Sequence, residues 1–214
     1  MVIADKQTRG RGRLGRSWHS PGGDGLYFSL VLRPWVAFNR MPALSQVAAM
    51  SVCRAIEQVF ECHAKVKWPN DCLLEGRKVA GILVELSAEL DKIEYAVIGI
   101  GINVNTDKGD FPARIRPQAS SLALESGRRQ NRVKILHHFL ADFEKSYSNF
   151  QKYGLRFIGP ELVRRSSVLG QKIVINMGKT RISGIAIGID ANGALRVKVK
   201  DKVVPISAGE VSMR

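Results

Sequence analysis

The chain has 214 residues, 45% of them apolar and 24% charged, with a formal net charge of +14. That size and balance suit one large domain, or a medium domain with a small companion, and argue against disorder over most of the chain. The charge points to an anionic partner, whether nucleic acid, nucleotide phosphate, membrane surface or acidic protein, or to nothing more than a basic and soluble surface.

Residues 1–6 lack the apolar stretch of a secretory signal, and no apolar run approaches the ~20 residues of a membrane span. Residues 2–4 read as a short strand leading straight into a motif. Domains usually place structure before such a motif, so an upstream segment is expected. Residues 9–25 hold six glycines, four arginines and one proline, which predicts a long loop. Its core is Gly10-Arg11-Gly12-Arg13-Leu14-Gly15-Arg16-Ser17-Trp18. Glycines let backbone N–H groups approach a ligand, and guanidinium forks suit phosphate or carboxylate, so the loop reads as an anion cradle. The alternative is a disordered RNA-binding segment, although such tracts repeat and this one is a single copy.

Residues 26–32 predict a buried strand. Pro42 opens a helix whose apolar face carries Leu44, Val47, Ala48, Val52, Ala55, Ile56, Val59 and Phe60 at spacings of three and four. Strands follow at 64–68, 71–74, 78–86 and 95–104, with the middle two joined by a turn at Glu75, Gly76 and Arg77. Pro69 breaks Lys67-Trp68-Pro69-Asn70-Asp71 where a strand emerges and displays Asn70 and Asp71 at its end. Lys78 opens a strand that otherwise wants burial; it needs an anionic partner or snorkels to the surface. Gly99 and Gly101 interrupt an apolar strand, which suits close approach of a ligand to the backbone, and Asn103 beyond them can both donate and accept. No helix follows these glycines, so this is not a dinucleotide fingerprint.

Residues 106–127 predict a second long loop. A helix spans 132–153, with Leu136, Phe139, Leu140, Phe143, Tyr147 and Phe150 on its buried face. His137 and His138 are adjacent and point apart, which argues against a shared metal. Short strands at 172–176, 180–189, 195–200 and 203–206 suggest a small β-barrel. Its alternating Arg196, Lys198 and Lys200 read as a solvated face, with a nucleic-acid surface as the alternative. Cys53, Cys62 and Cys72 form no disulfide or zinc pattern and favour a reducing cytoplasm.

In this order the motifs resemble the bacterial biotin protein ligase family. The resemblance is carried by Gln7-Thr8-Arg9-Gly10-Arg11-Gly12-Arg13, Trp18, Ser20-Pro21, Leu26-Tyr27, Lys67-Trp68-Pro69-Asn70-Asp71, the run from Lys78 to Glu85, and Gly99-Ile100-Gly101-Ile102-Asn103. Gly184, Gly188-Ile189-Asp190 and Gly193-Ala194-Leu195 resemble its terminal barrel. The resemblance implies an α+β fold. A mixed β-sheet with helices on one face, like that of class II synthetases, would fill residues 1–165, and a small SH3-like barrel residues 166–214.

The resemblance further implies a ligase. Biotin carboxylate attacks the α-phosphate of ATP to give biotinyl-adenylate and pyrophosphate, and a carrier lysine, such as that of the acetyl-CoA carboxylase biotin carrier, then displaces AMP. ATP, biotin and Mg²⁺ are the implied ligands. Gln7, Gly10, Arg11, Gly12, Arg13, Trp18, Lys78, Gly81 and Gly101 would surround biotin. Arg13, Arg16, Asn70, Asp71, Lys78 and Asn103 would serve ATP, with Lys78, Arg13 and Arg16 the catalytic cations and Asp71 a Mg²⁺ candidate. The loop at 106–127 would fold over the adenylate.

The chain departs from the family at Arg9, where many relatives have alanine. It also lacks the upstream strand and helix with a serine-threonine-asparagine motif, and any winged-helix domain. A weakened pocket, an exposed sheet edge favouring a homodimer, no specific DNA binding and no membrane contact are therefore expected. A crippled remnant, a lipoate-ligase-like relative and a basic nucleic-acid-binding protein are the rival readings.

Overall fold

A computed structural model describes residues 1–89, 92–178 and 180–213, with the side chain of Lys92 also outside the description. Six strands form the main sheet: β1 (Val2–Ala4), β2 (Gly25–Leu32), β3 (Lys65–Lys67), β4 (Asp71–Leu74), β5 (Arg77–Glu89) and β6 (Lys92–Asn103). Their spatial order is β1-β2-β6-β5-β4-β3, and neighbouring strands pair antiparallel. The fold class is α+β, as the resemblance implies. The parallel component of the expected mixed sheet shrinks to two isolated bridges, Val66 with Ser166 and Lys78 with Ala119. Strands β3, β4 and β5 follow one another through short turns, a connection open to antiparallel neighbours and closed to parallel ones, which need long crossovers. Glu75 and Gly76, both at positive φ, make the two-residue turn between β4 and β5.

Helix α1 (Pro42–Glu57) starts on a proline, whose missing N–H costs nothing in a first turn. It packs with α3 (Arg132–Tyr153) over one face of the sheet. Asn131 caps α3 by accepting from the amides of Val133 and Lys134, and Gly154 at φ 63 closes it. The alternation along the strands sends Leu26, Phe28 and Leu30, Ala80 and Ile82, and Ile98, Ile100 and Ile102 into this helix-covered core. Their in-between neighbours, including Gly81 and Gly101, therefore face the other way.

Two helices were not anticipated. Residues 106–127 are not loop throughout: they contain α2 (Leu122–Ser126), capped by the Ser121 hydroxyl. A further helix, α4 (Gly159–Arg165), precedes the C-terminal part. It is tied down by ions: Arg54 on α1 bridges Asp142 on α3 and Glu161 on α4, while Arg165 bonds Glu57 and again Glu161. Hydrogen bonds from Arg54, and then from Arg165, hold the Glu161 carboxyl down to about 2 against burial. Its stabilising contribution is thus complete above the ordinary carboxylate range near pH 4.5 and disappears as pH falls towards 2. Glu161→Gln is expected to flatten the acid limb of the melting-temperature profile between those limits. A limb as steep as that of the unaltered chain would exclude Glu161 as a source of acid sensitivity.

Five strands follow: β7 (Lys172–Met177), β8 (Thr180–Ile189), β9 (Leu195–Val199), β10 (Lys202–Ile206) and β11 (Glu210–Met213), ordered β10-β9-β8-β7-β11. They surround a second core of Ile173, Ile175, Ala186, Leu195, Val197 and Val211. Trp68 belongs to this core, and its indole donates to the Gly193 carbonyl at 2.9 Å. Gln46 on α1 donates to the same oxygen at 2.6 Å. At φ 85, with a would-be Cβ 2.9 Å from the Ala43 backbone, position 193 admits only glycine without displacement. Trp68 thus fastens the small β unit onto the main sheet. Arg196 and Lys198 are exposed on that unit, as both readings of that strand face require.

Candidate active site

The candidate site lies on the sheet face away from the helices. Gly81 and Gly101 are directly paired across β5 and β6, and Tyr27 on β2 pairs Gly101 from the other side. The two glycines leave a depression, and the indole of Trp18 fills it. A Cβ on Gly101 would collide with that indole, and one on Gly81 would lie 3.0 Å from it and 3.1 Å from the Lys78 side chain. The glycines are needed for this close approach rather than for any special backbone angle. Tyr27 is buried beside them. Its phenol donates to the Pro21 carbonyl at 3.2 Å, and burial, assisted by Asp24, pushes its pKa up to about 12. It is therefore a neutral donor, not a base.

The arginine-glycine loop reaches this floor as a tight excursion. Arg11 and Ser17 form a bridge, the Gly12 amide donates to the Arg16 carbonyl at 2.7 Å, and the Trp18 amide donates to the Gly10 carbonyl at 2.8 Å. Leu14 and Gly15 at positive φ turn the tip, which forms a short 3₁₀ segment, Arg13–Gly15. Gly10 is wedged against the Trp18 backbone, Ser20 and Gln7, and the Ser20 hydroxyl donates to Gln7 Oε1 at 2.7 Å. Gln7, Gly10 and Trp18 are thus brought together.

Two cations converge on the same depression. Lys78 Nζ stands 5.2 Å from the centre of the Trp18 ring, a cation–π distance. It is also 2.7 Å from Asp71 Oδ1, although that oxygen receives no hydrogen bond of good geometry. The contact is an ion pair more than a formed hydrogen bond. The strand-opening lysine therefore has a protein partner, which the sequence did not announce. Arg13 donates to Asn70 Oδ1 at 2.9 Å, and Asn70 in turn donates to the Ile82 carbonyl at 2.8 Å. Burial holds the Arg13 guanidinium below its ordinary value, against the attractions of Asp71 and Glu210. A desolvated cation with one neutral partner favours an incoming anion.

The remaining expected residues are placed differently. Arg11 lies on the rim, 73% exposed, 3.1 Å from Glu85. Arg16 is paired with Glu210 at the start of β11, so the loop also touches the C-terminal unit. Asn103 is buried, and its amide donates to the Ser120 carbonyl at 3.0 Å. It anchors the 106–121 segment, whose Gln118 carbonyl and Ser120 amide also clamp the Lys78 backbone at 2.8 and 2.9 Å. Sequence reasoning missed Glu85 and Glu210, because each pairing joins positions far apart in the chain. It also missed His19, Thr106 and Ser120, whose side-chain polar atoms are buried without partners. Burial pushes the Cys62 thiol up to about 12, and a hydrogen bond to Cys53, together with burial, pushes the buried Cys72 well above its ordinary value. Neither is an activated nucleophile. Among the described residues, no three metal-ligating side chains gather.

A sheet floored by glycines, an arginine loop above it and a small β unit fastened by Trp68 form the two parts that the comparisons with known proteins recognise. Residues 1–103 match the biotin/lipoate A/B protein ligase family, and residues 168–214 the biotin protein ligase C-terminal domain. The chain belongs to the biotin protein ligase family. It is 34% identical over 214 residues to the biotin–[acetyl-CoA-carboxylase] ligase of Paracoccus denitrificans, covering 98% of this chain and 88% of that one. It is 38% identical over 217 residues to the bifunctional ligase/repressor BirA of Bacillus subtilis, where it covers 100% of this chain but spans 66% of the relative. The biotin protein ligase of Aquifex aeolicus, solved in complex with biotin and ATP, superimposes with a TM-score of 0.85 at 32% identity, over 99% of this chain and 87% of that one. No helix of the described residues is long and apolar enough to cross a membrane.

Proposed function

We propose that the chain is an ATP-dependent biotin ligase. It would convert biotin to biotinyl-5′-AMP and then pass the biotinyl group to a lysine of a carrier protein domain. The observation that carries this reading is the convergence of Lys78 and Arg13 on a depression floored by Gly81 and Gly101. Such a pocket suits an acid with a carbon body whose carboxylate must meet a phosphate. The Aquifex relative was solved with biotin and ATP, which are the two molecules this chemistry joins.

In this reading residues 1–165 are the catalytic unit and 166–214 a docked accessory. Trp18 leaves the floor when biotin enters and then lies over it, closing the site with Gly12 and Arg13. Gln7 and Gly10 stand at the biotin head, with Arg11 at the rim. Lys78, Arg13 and Arg16 neutralise charge as the carboxylate oxygen attacks the α-phosphate and pyrophosphate leaves. Arg16 must exchange Glu210 for phosphate to do so. The carrier amine then attacks the acyl carbon, AMP departs and the amine proton is lost. No protein nucleophile is required, and the work is positioning and electrostatic.

Asn70 and Asp71 serve the nucleotide, while Asn103 acts by holding the 106–121 segment over it. Mg²⁺ would enter on the phosphates and shield their charge; Asp71 offers it one carboxylate, which fits an ion that keeps most of its ligands from substrate and water. Three free thiols suit a reducing cytoplasm. The test is to incubate the chain with biotin, ATP and Mg²⁺, following pyrophosphate, and then to add a carrier domain. Biotin-dependent pyrophosphate release and a carrier mass increase of one biotinyl group are expected. Release that is the same with and without biotin would overturn the assignment.

A further inference from the structure

We infer that the chain has a second anion site, separate from the candidate active site, which takes a phosphoryl-bearing small molecule of about nucleotide size. It is a cavity of about 480 Å³ where the C-terminal end of α3 meets the β8–β9 turn. Its lining includes Arg40, Lys152, Tyr153, Arg156 and Asn192. Arg40, Lys152 and Arg156 are exposed cations from three different segments, and among the described residues no acid lines the cavity with them. Among the described residues none of the three makes a salt bridge, whereas Arg54, Arg77, Arg129, Arg132 and Arg165 all do. The adjoining carboxylate, Asp190, is turned onto its own loop, accepting from the amides of Asn192 and Ala194 at 2.9 Å.

A simpler account is that these cations offset the negative end of the α3 dipole. That end carries about half an elementary charge, which one cation matches. None of the three side chains bonds a helix carbonyl; the Phe150 carbonyl is taken by the Gly154 amide. Three like charges around one hollow repel each other until an anion joins them. Two guanidinium forks and an ammonium match several phosphoryl oxygens better than a single carboxylate. The volume lies within the range of ~300–1,000 Å³ common for small-molecule sites, and Tyr153, 59% exposed, offers a stacking face. Ligand bound here would touch both the main unit and the small β unit. The inference does not depend on the ligase reading.

The test is isothermal titration at low salt with tripolyphosphate, AMP and adenosine. The chains compared are the unaltered one, a Lys152→Ala/Arg156→Ala variant and an Arg13→Ala variant. Two binding events are expected for the phosphoryl compounds. The double substitution should weaken one by about tenfold or more, and Arg13→Ala should weaken only the other. Pyrophosphate release from biotin and ATP should be the same in the double variant as in the unaltered chain. Tighter binding of AMP than of tripolyphosphate would mark a nucleotide as the source, and the reverse an inorganic polyphosphate. Adenosine binding as well as AMP would overturn the phosphoryl assignment. A single event sensitive only to Arg13→Ala, or no event, would overturn the site itself. An oligonucleotide bound far more tightly than AMP would replace the small molecule with a nucleic-acid strand. Failure of the ligase reading would appear as no pyrophosphate release from any chain, and would leave these comparisons intact.

Discussion

Lys78→Ala is expected to lower adenylate formation by about a hundredfold or more while leaving the fold standing, since removing one well-placed charge-stabilising donor commonly costs that much. The side chain is 33% exposed and reaches the rim of the glycine floor, so its loss opens no cavity in either hydrophobic core. The backbone at position 78 remains clamped by the Gln118 carbonyl and the Ser120 amide whatever the side chain. Two effects add on the activity side. The ammonium no longer meets the developing negative charge, and Asp71, relieved of its partner 2.7 Å away, presents an uncompensated carboxylate to the phosphates. Lys78→Arg should retain more activity than alanine but less than lysine, since a planar fork replaces a point charge. Pyrophosphate release with biotin and ATP is the measurement, beside a thermal melt. Release within about threefold of the unaltered chain would remove Lys78 from the chemistry.

What could be read in advance followed how local the determinants are. Helix α3 was legible because its apolar face recurs within the segment itself, with Phe139, Phe143 and Phe150 buried as expected, although Ile135 is buried where Leu136 is only partly so. The hairpin at Glu75 and Gly76 was legible for the same reason. Helix α4 was not, since it is one short turn pair held by Arg54 and Glu57, about a hundred positions away. Strand β11 escaped notice because its four residues gain their order from pairing with β7. At the site, Gly81 and Gly101 were recognisable as strand glycines, but only the register shows that they face each other beneath Trp18. The sequence put Trp68 inside the same motif as Asn70 and Asp71. The structure divides that motif, with Trp68 anchoring the small β unit and the other two facing the floor. Ion pairs were the least legible feature. Nothing local links Arg16 to Glu210 or Lys78 to Asp71, and a lysine read as waiting for a ligand already has a counter-ion that a ligand must share.

Gly101→Ala separates the two substrates. The new methyl group would occupy the space now taken by the Trp18 indole, and the floor at Gly81 directly across cannot give, because its own Cβ position is already 3.0 Å from the same ring. In the unliganded chain the cost should be small. The indole is held by packing and by the Lys78 ammonium over its ring, and among the described residues its Nε1 has no hydrogen-bond partner, so it can tilt outwards while its backbone stays bonded to Gly10. Alanine also suits a strand interior at least as well as glycine. The melting temperature should therefore change little. Biotin has no such freedom if it lies on the floor, because the strands beneath it are buttressed by the Ile82, Ile100 and Ile102 core. One methyl group forced into a fitted site costs about 1–3 kcal/mol, which is roughly a five- to 150-fold loss of biotin affinity. ATP should suffer much less, since the groups proposed to meet its phosphates, Arg13, Arg16 and Lys78, lie outside the glycine pair. Titration of the variant with each substrate separately gives the ratio that matters. A fall in biotin affinity with ATP affinity held would place the biotin ring on the Gly81–Gly101 floor. Unchanged biotin affinity, or equal losses for both substrates, would place biotin elsewhere and make the glycine pair a seat for Trp18 alone.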